Sequence, residues 1–115
     1  MILLPVDEAY AFDYLAILQI KNNDNLLDDK IYYYIIKKIK KQIGIVKYEA
    51  IIKSKEYKEL LASNKAVFKN VNLARQNKIS AFKLDKSNFK RYLAKKKIQQ
   101  KFFKSNLFEV KKYKK

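Results

Sequence analysis

The chain has 115 residues and a formal net charge of +16, from 27 Lys and Arg against 11 Asp and Glu. Its length fits one domain covering residues 1–115, and a hydrophobic fraction of 49% is enough for a core. The absence of Cys and His excludes disulfides, thiol nucleophiles, zinc fingers and His-dependent general bases. One Gly and one Pro are too few for the turns of a β-sandwich or barrel. We therefore expect an all-α protein that is not an enzyme and holds no metal or cofactor.

The charge is distributed unevenly along the chain. Residues 1–30 hold six acids and two lysines, whereas residues 31–115 hold 25 basic residues and five acids, with a lysine-rich tail from about residue 105. The basic residues are 25 Lys and 2 Arg, which favours diffuse attraction to phosphate, since base reading and bidentate clamping use Arg. An AT-rich gene also enriches Lys, so composition alone leaves two explanations of the charge.

The first two predicted helices differ in character. The first runs from an N-cap at Asp7 to about Lys21 and is apolar around most of its circumference, so it should be central. The second runs from about Leu27 to Lys53, with Gly44 as a candidate kink. Its predicted core positions are Ile31, Ile35, Ile39, Ile43, Val46 and Ala50. Its polar face should carry Lys37, Lys38, Lys40, Lys41 and Lys47.

A third helix is predicted from about Lys55 to Asn77, and a fourth from an N-cap at Ser87 to about Lys104. One face of the third should carry Tyr57, Leu60, Leu61, Val67, Phe68, Val71 and Ala74. The core side of the fourth should carry Phe89, Tyr92, Leu93 and Phe103, with Ile98 and Phe102 on the opposite side. Residues 107–110 read either as a short strand pairing with residues 2–4 or as a last helical turn. The predicted fold is a small bundle of about four helices.

Two helices carry the candidate nucleic-acid site. In the fourth helix, cations surround Phe102, whose ring could stack on an unpaired base or pack against a neighbouring helix or a second subunit. The predicted binding residues there are Lys90, Arg91, Lys95, Lys96, Lys97, Lys101, Phe102 and Lys104. The second helix adds Lys37, Lys38, Lys40 and Lys41, in a stretch that also contains three consecutive tyrosines at 32–34. A helix cannot bury three consecutive residues on one face, so we expect at least one of these rings to be exposed or at a subunit contact.

Asp13 lies on an apolar face of the first predicted helix. A buried carboxylate needs a partner, and Arg75 and Arg91 are the candidates for it. The functional alternative is a carboxylate placed for catalysis or metal binding, which the absence of His disfavours.

Two segments resemble a family of short helical proteins of tailed phages and bacteria, a domain of unknown function. Residues 13–21 are similar to its D-x-L-x-I-L-x-I-K opening, although Tyr10 stands where the family usually has an acid. Its C-terminal pattern, N-x-x-R, K-x-x-I and S-x-L-x-E-x-K-x-Y, is matched by Asn88, Arg91, Lys95, Ile98, Ser105, Leu107, Glu109, Lys111 and Tyr113. The resemblance implies an all-helical fold, a phage or bacterial origin and pairing of Asp13 with Arg91. It implies no activity.

The function expected from these features is nucleic-acid binding without sequence preference, to DNA or RNA, through the lysine-rich helices. The alternative is an interaction module, phage-encoded if the resemblance holds, whose basic face docks on an acidic protein. No stretch reaches the ~18 apolar residues of a membrane span, and no targeting segment is recognised. We therefore expect a cytoplasmic protein, in the host cytoplasm if viral, with no membrane partner and with homo-oligomerisation left open.

Overall fold

In the computed structural model, residues 2–23 and 29–104 are described, apart from the side chain of Asp29. This part of the chain forms α1 (Ala9–Asn23), α2 (Asp29–Ile43), α3 (Ile45–Ile52), α4 (Lys55–Arg75), α5 (Ala81–Ile98) and a π-helical turn (Gln99–Phe103). The described residues contain no strand, and residues 2–4 are irregular, so the expected strand at the N-terminus is not found; residues 107–110 lie outside the described part. The all-α prediction is confirmed, with five α-helices in place of about four.

Helix α1 lies at the centre of the bundle, as its apolar circumference predicts. It packs against α2, α4 and α5. The ring of Phe12, 1% exposed, lies 6.4 Å from the rings of three aromatic residues on other elements: Tyr48, Tyr57 and Phe103. The helix begins at Ala9, one residue later than an N-cap at Asp7 implies.

Gly44 divides the predicted second helix into α2 and α3. Its φ of +89° lies in the region that favours glycine, so it ends α2 and starts α3 in a new direction. The buried face changes with it: Tyr48 and Ile51 are buried in α3, whereas Val46 is 81% exposed and Ala50 is exposed. The candidate kink at Gly44 is confirmed as a break between two helices. The predicted core positions Val46 and Ala50 are wrong, and so is Ile31 at the start of α2, which is 45% exposed.

Helix α5 starts earlier than predicted, and its buried residues match the predicted core side only in part: Tyr92 is buried as predicted, whereas Phe89 and Leu93 are half-buried. Its N-cap is Ser80, whose Oγ accepts a hydrogen bond from the N–H of Lys83 at 3.3 Å. Ser87, predicted as the N-cap, is buried within the helix and donates its hydroxyl to the carbonyl of Leu84 at 2.9 Å. The residues buried in α5 are Ser87, Tyr92, Ala94 and Ile98. Ile98, predicted to lie opposite the core, is fully buried.

No helix in the described part of the chain combines enough length with enough apolar character to cross a bilayer.

Candidate nucleic-acid interface

The outward side of α2 carries lysine and tyrosine side chains. Six exposed residues, Lys30 and five that follow it, fall within an arc of about 140° on the helical wheel. We call the last five of them the Lys–Tyr face: Tyr33, Tyr34, Lys37, Lys38 and Lys41. The opposite side of α2 is anchored in the core by Ile39, which is buried, with partly buried Tyr32, Ile35, Ile36 and Ile43 around it. The isoleucine periodicity of the sequence therefore fixes which side of α2 faces solvent.

A groove of about 280 Å³ runs along this face, lined by Tyr34, Lys37, Lys38 and Lys41. The ammonium of Lys38 lies 5.6 Å from the centroid of the Tyr34 ring. Lys40, predicted as a fourth lysine of this strip, turns the other way: it is half-buried, and its Nζ lies 5.2 Å from the centroid of the buried Tyr48 ring. Three of the four predicted α2 lysines therefore share one face.

The Lys–Tyr face has no carboxylate partner in the described part of the chain. None of the described Asp and Glu side chains forms an ion pair with Lys37, Lys38 or Lys41. The only acid in the sequence of α2 is Asp29, its first residue. Exposed lysines also occur on α3, α4 and α5, so lysine exposure alone does not distinguish α2. Exposed tyrosines together with unpaired lysines do distinguish it.

Arg91 on α5, in contrast, is directed at the interior. Its Nε and Nη2 donate hydrogen bonds to the two carboxylate oxygens of Asp13, at 3.0 and 2.6 Å. Asn64 Nδ2 donates to Asp13 Oδ1 at 3.0 Å, and the Asp13 side chain is 7% exposed. The hydrogen bonds that Arg91 donates to the Asp13 carboxylate raise the pKa of Arg91. The predicted partner for Asp13 is confirmed, and it is Arg91, while Arg75 lies exposed at the end of α4.

Two further predicted cations of α5 and the π-helical turn pair with acids of α4. The Nζ of Lys101 lies 3.1 Å from Glu56 Oε1, and that of Lys97 lies 3.9 Å from Glu59 Oε2. The hydrogen bond from Lys101 lowers the pKa of Glu56 below its ordinary value. These lysines are therefore partly neutralised within the protein.

The remaining predicted residues of this region divide between packing and solvent. Phe102 is half-buried and packs against the core, with the Lys101 ammonium 5.3 Å from its ring centroid, so the ring does not project freely. The ammonium of Lys95 lies 4.2 Å from the centroid of the Tyr10 ring. The others are solvent-accessible to different degrees: Lys90 and Lys104 are exposed and Lys96 is half-buried.

The three tyrosines at 32–34 follow their expected division between core and solvent. Tyr32 is half-buried, whereas Tyr33 and Tyr34 are 61% and 55% exposed, which confirms that at least one ring is exposed. Tyr48 of α3 differs from the exposed Tyr33 and Tyr34 because its ring is buried, and this burial raises the pKa of Tyr48 to about 12.

Asn64 and Gln99 are among the buried polar side chains that the sequence analysis did not predict. Asn64 continues the buried positions Tyr57 and Leu60 at helical spacing, so its place on that face could have been recognised. Gln99 is 2% exposed; its Oε1 accepts a hydrogen bond from the N–H of Ala9 at 2.8 Å and its Nε2 donates to Glu8 at 2.9 Å. It caps the first turn of α1 from the other end of the chain, which no local pattern reveals.

Within the described residues, no cluster of three or more Asp and Glu side chains could hold a metal ion. Comparisons with protein-family models, with curated proteins and with solved structures found no match to this chain. The resemblance to the phage and bacterial family therefore stays a prediction, although the two charged positions that it matches, Asp13 and Arg91, pair in the structure.

Proposed function

We propose that this protein binds nucleic acid without sequence preference and that the Lys–Tyr face of α2 is its main contact. The observation that carries the proposal is the row of three lysines without a carboxylate partner among the described residues, in a chain of net charge +16. Lysine ammonium groups attract phosphates as point charges and carry no fixed geometry for reading base edges. A surface of this kind binds the backbone of many sequences alike.

The sequence predicted binding residues on two helices, whereas the main contact proposed here lies on α2 alone. Arg91, Lys97 and Lys101 have internal acidic partners, so a ligand phosphate would have to compete with Asp13, Glu59 or Glu56 for them. The exposed Lys90 and Lys104 and the half-buried Lys96 add general positive charge, in keeping with a diffuse contribution from the rest of the surface.

Fluorescence anisotropy with labelled oligonucleotides at two salt concentrations tests this function. Binding releases counterions, so log affinity falls with log salt by about 0.7 to 0.9 per phosphate contact. The triple variant K37Q/K38Q/K41Q should reduce this slope by about 2 to 3. The matched control K58Q/K65Q/K69Q removes three exposed lysines from α4 and should change the slope much less. Equal effects of both variants, or no binding at ~50 mM salt, would contradict the proposal.

An acidic protein partner is the second candidate. It is favoured by two apolar side chains beside the Gly44 break, Ile45 and Val46, which are 59% and 81% exposed and could pack against a partner's apolar surface. Nucleic-acid backbone offers no such surface. Material that co-purifies with the protein separates the candidates, since it either absorbs as nucleic acid or migrates as a protein band.

A further inference from the structure

The two exposed rings of the Lys–Tyr face are held in different ways. The ring of Tyr33 lies against that of Tyr32, with centroids 5.2 Å apart and planes inclined by 60°. Tyr32 in turn packs against the core, so Tyr33 projects from an anchored neighbour. Tyr34 has the Lys38 ammonium near its ring, 5.6 Å from the centroid. Both rings are more than half exposed and have apolar area available to a planar ligand.

The lysines follow these rings along the helix at a regular interval. Lys37 and Lys38 lie one turn after Tyr33 and Tyr34, and Lys41 lies almost one turn further on. With a rise of 1.5 Å per residue, the Cα positions of Tyr34 and Lys41 are about 10 Å apart along the axis. A flexible polyanion that follows the groove can meet the rings at one end and the ammonium groups at the other.

Rings and ammonium groups together select among nucleic-acid forms. In a duplex the bases stack on one another, and their faces are closed to a side chain that approaches from outside. In a single strand the faces can open, and tyrosine can stack on any base because every base has a π-face. We infer that the Lys–Tyr face binds single-stranded nucleic acid, with bases stacked on Tyr33 and Tyr34 and phosphates at Lys37, Lys38 and Lys41. This inference rests on the proposed function and adds the form of the ligand.

A comparison of strands with and without bases tests the inference in the unmodified protein. The probes are a labelled oligothymidine of about 12 nucleotides, an abasic strand of equal length and charge, and a duplex of equal length. We expect oligothymidine to bind at least about tenfold more tightly than the abasic strand, since each stacked base adds roughly that factor or more. Oligothymidine should also bind more tightly than the duplex.

Variants then locate the effect. Y33A/Y34A should bring the affinity for oligothymidine to within about twofold of that for the abasic strand, because it removes both rings that stack on bases. Y33F/Y34F keeps the rings and should keep the difference, since stacking does not need the hydroxyl. Tyr14→Ala removes a tyrosine of α1 that is 48% exposed and should have no effect. Circular dichroism checks that each variant keeps its helices.

The outcomes separate the inference from the function beneath it. If the unmodified protein binds the abasic strand or the duplex as tightly as oligothymidine, the stacking inference is wrong while phosphate binding stands. If none of the three probes binds, both proposals are wrong. Because the first comparison needs no variant, it decides the question even if Y33A/Y34A does not fold.

Discussion

Helix α2 carries five basic residues and α5 carries seven, and both helices have the same predicted role, but their charges have different surroundings in the structure. On α5 and the π-helical turn, Arg91, Lys97 and Lys101 pair with acids of α1 and α4. On α2, the lysines of the Lys–Tyr face have no carboxylate partner in the described part of the chain, and two exposed rings lie beside them. The cations of α5 and the π-helical turn are partly neutralised by acids of the bundle, whereas those of the Lys–Tyr face are exposed without a carboxylate partner among the described residues.

The difference follows from the position of each helix in the bundle. Helix α5 packs against α4, which supplies Glu56 and Glu59, and against α1, which supplies Asp13. Helix α2 packs against α1 and α3 through its isoleucine side, and no described Asp or Glu forms an ion pair with the lysines on its outer side. A count of lysines along a sequence therefore does not locate a phosphate-binding surface, because the positions of the acids decide which lysines remain available.

Among the substitutions that test this difference between α2 and α5, Arg91→Ala should cause the largest loss of stability. Arg91→Ala leaves the Asp13 carboxylate, 7% exposed, without its charged partner, and should lower the free energy of unfolding by about 3 kcal/mol. Lys41→Ala on α2 should change it by less than about 0.5 kcal/mol. Urea denaturation measures both. Equal losses in the free energy of unfolding for Arg91→Ala and Lys41→Ala would contradict the difference inferred between α5 and α2.

Arg75→Ala is the matched control, because it removes the other arginine from an exposed position at the end of α4. It should be close to neutral. The double variant D13A/R91A should lose less than the sum of its single variants, since each single variant leaves one charged group unpaired.

The second expected effect concerns how α2 ends. The φ of +89° and ψ of 151° at Gly44 are allowed almost only for glycine, so Gly44→Ala should cost about 2 kcal/mol, although a Cβ there would meet no atom within 4 Å. The alanine variant could avoid this strained backbone conformation only if α2 and α3 joined into one helix. Val46 would then turn toward the positions that Tyr48 and Ile51 occupy. An unchanged urea midpoint for this variant would show that the break is not imposed by the glycine.

The fold was predictable where one physical signal dominated. The apolar circumference of α1 indicated a central helix, and the isoleucine spacing of α2 indicated its solvent side. Prediction failed where tertiary contacts decided the outcome. Ser80 and Ser87 are equally suitable N-caps by residue type, but the helix that packs against α4 begins after Ser80 and continues through Ser87. Ser87, Ala94 and Ile98 are buried on the side of α5 from which Arg91 reaches Asp13, whereas the side predicted from the sequence is more aromatic and buries Tyr92.

The candidate site divides in the same way. That Lys37, Lys38 and Lys41 are exposed on one face followed from helical periodicity alone. The inward positions of Lys40 and Phe102 depend on Tyr48 and on the core, which belong to other parts of the chain. Binding through any of these residues is a prediction that the titrations described above test.

The third expected effect concerns the attachment of the C-terminal end of α5 to α1. Gln99→Ala removes the acceptor for the N–H of Ala9 and the donor to Glu8, and should cost about 1.5 kcal/mol. Gln100→Ala is its control, since Gln100 is the exposed neighbour in the same π-helical turn. If thermal denaturation shows equal loss in both variants, Gln99 does not cap α1 in solution.

The smallest expected effect is at Lys101, and it depends on pH. The hydrogen bond from Lys101 lowers the folded-state pKa of Glu56 below its ordinary 4.5. A carboxyl group whose pKa is lower in the folded state adds stability above its unfolded pKa and loses it as pH falls through the folded pKa. Lys101→Met should therefore reduce stability slightly at neutral pH and make no difference well below pH 4.5. Lys90→Met, which removes an exposed lysine of α5 outside these ion pairs, should show no such pH dependence in urea titrations at pH values above and below 4.5. A pH-independent cost at Lys101 would mean that its side chain acts through packing on Phe102, and α5 would then differ less from α2 than its ion pairs indicate.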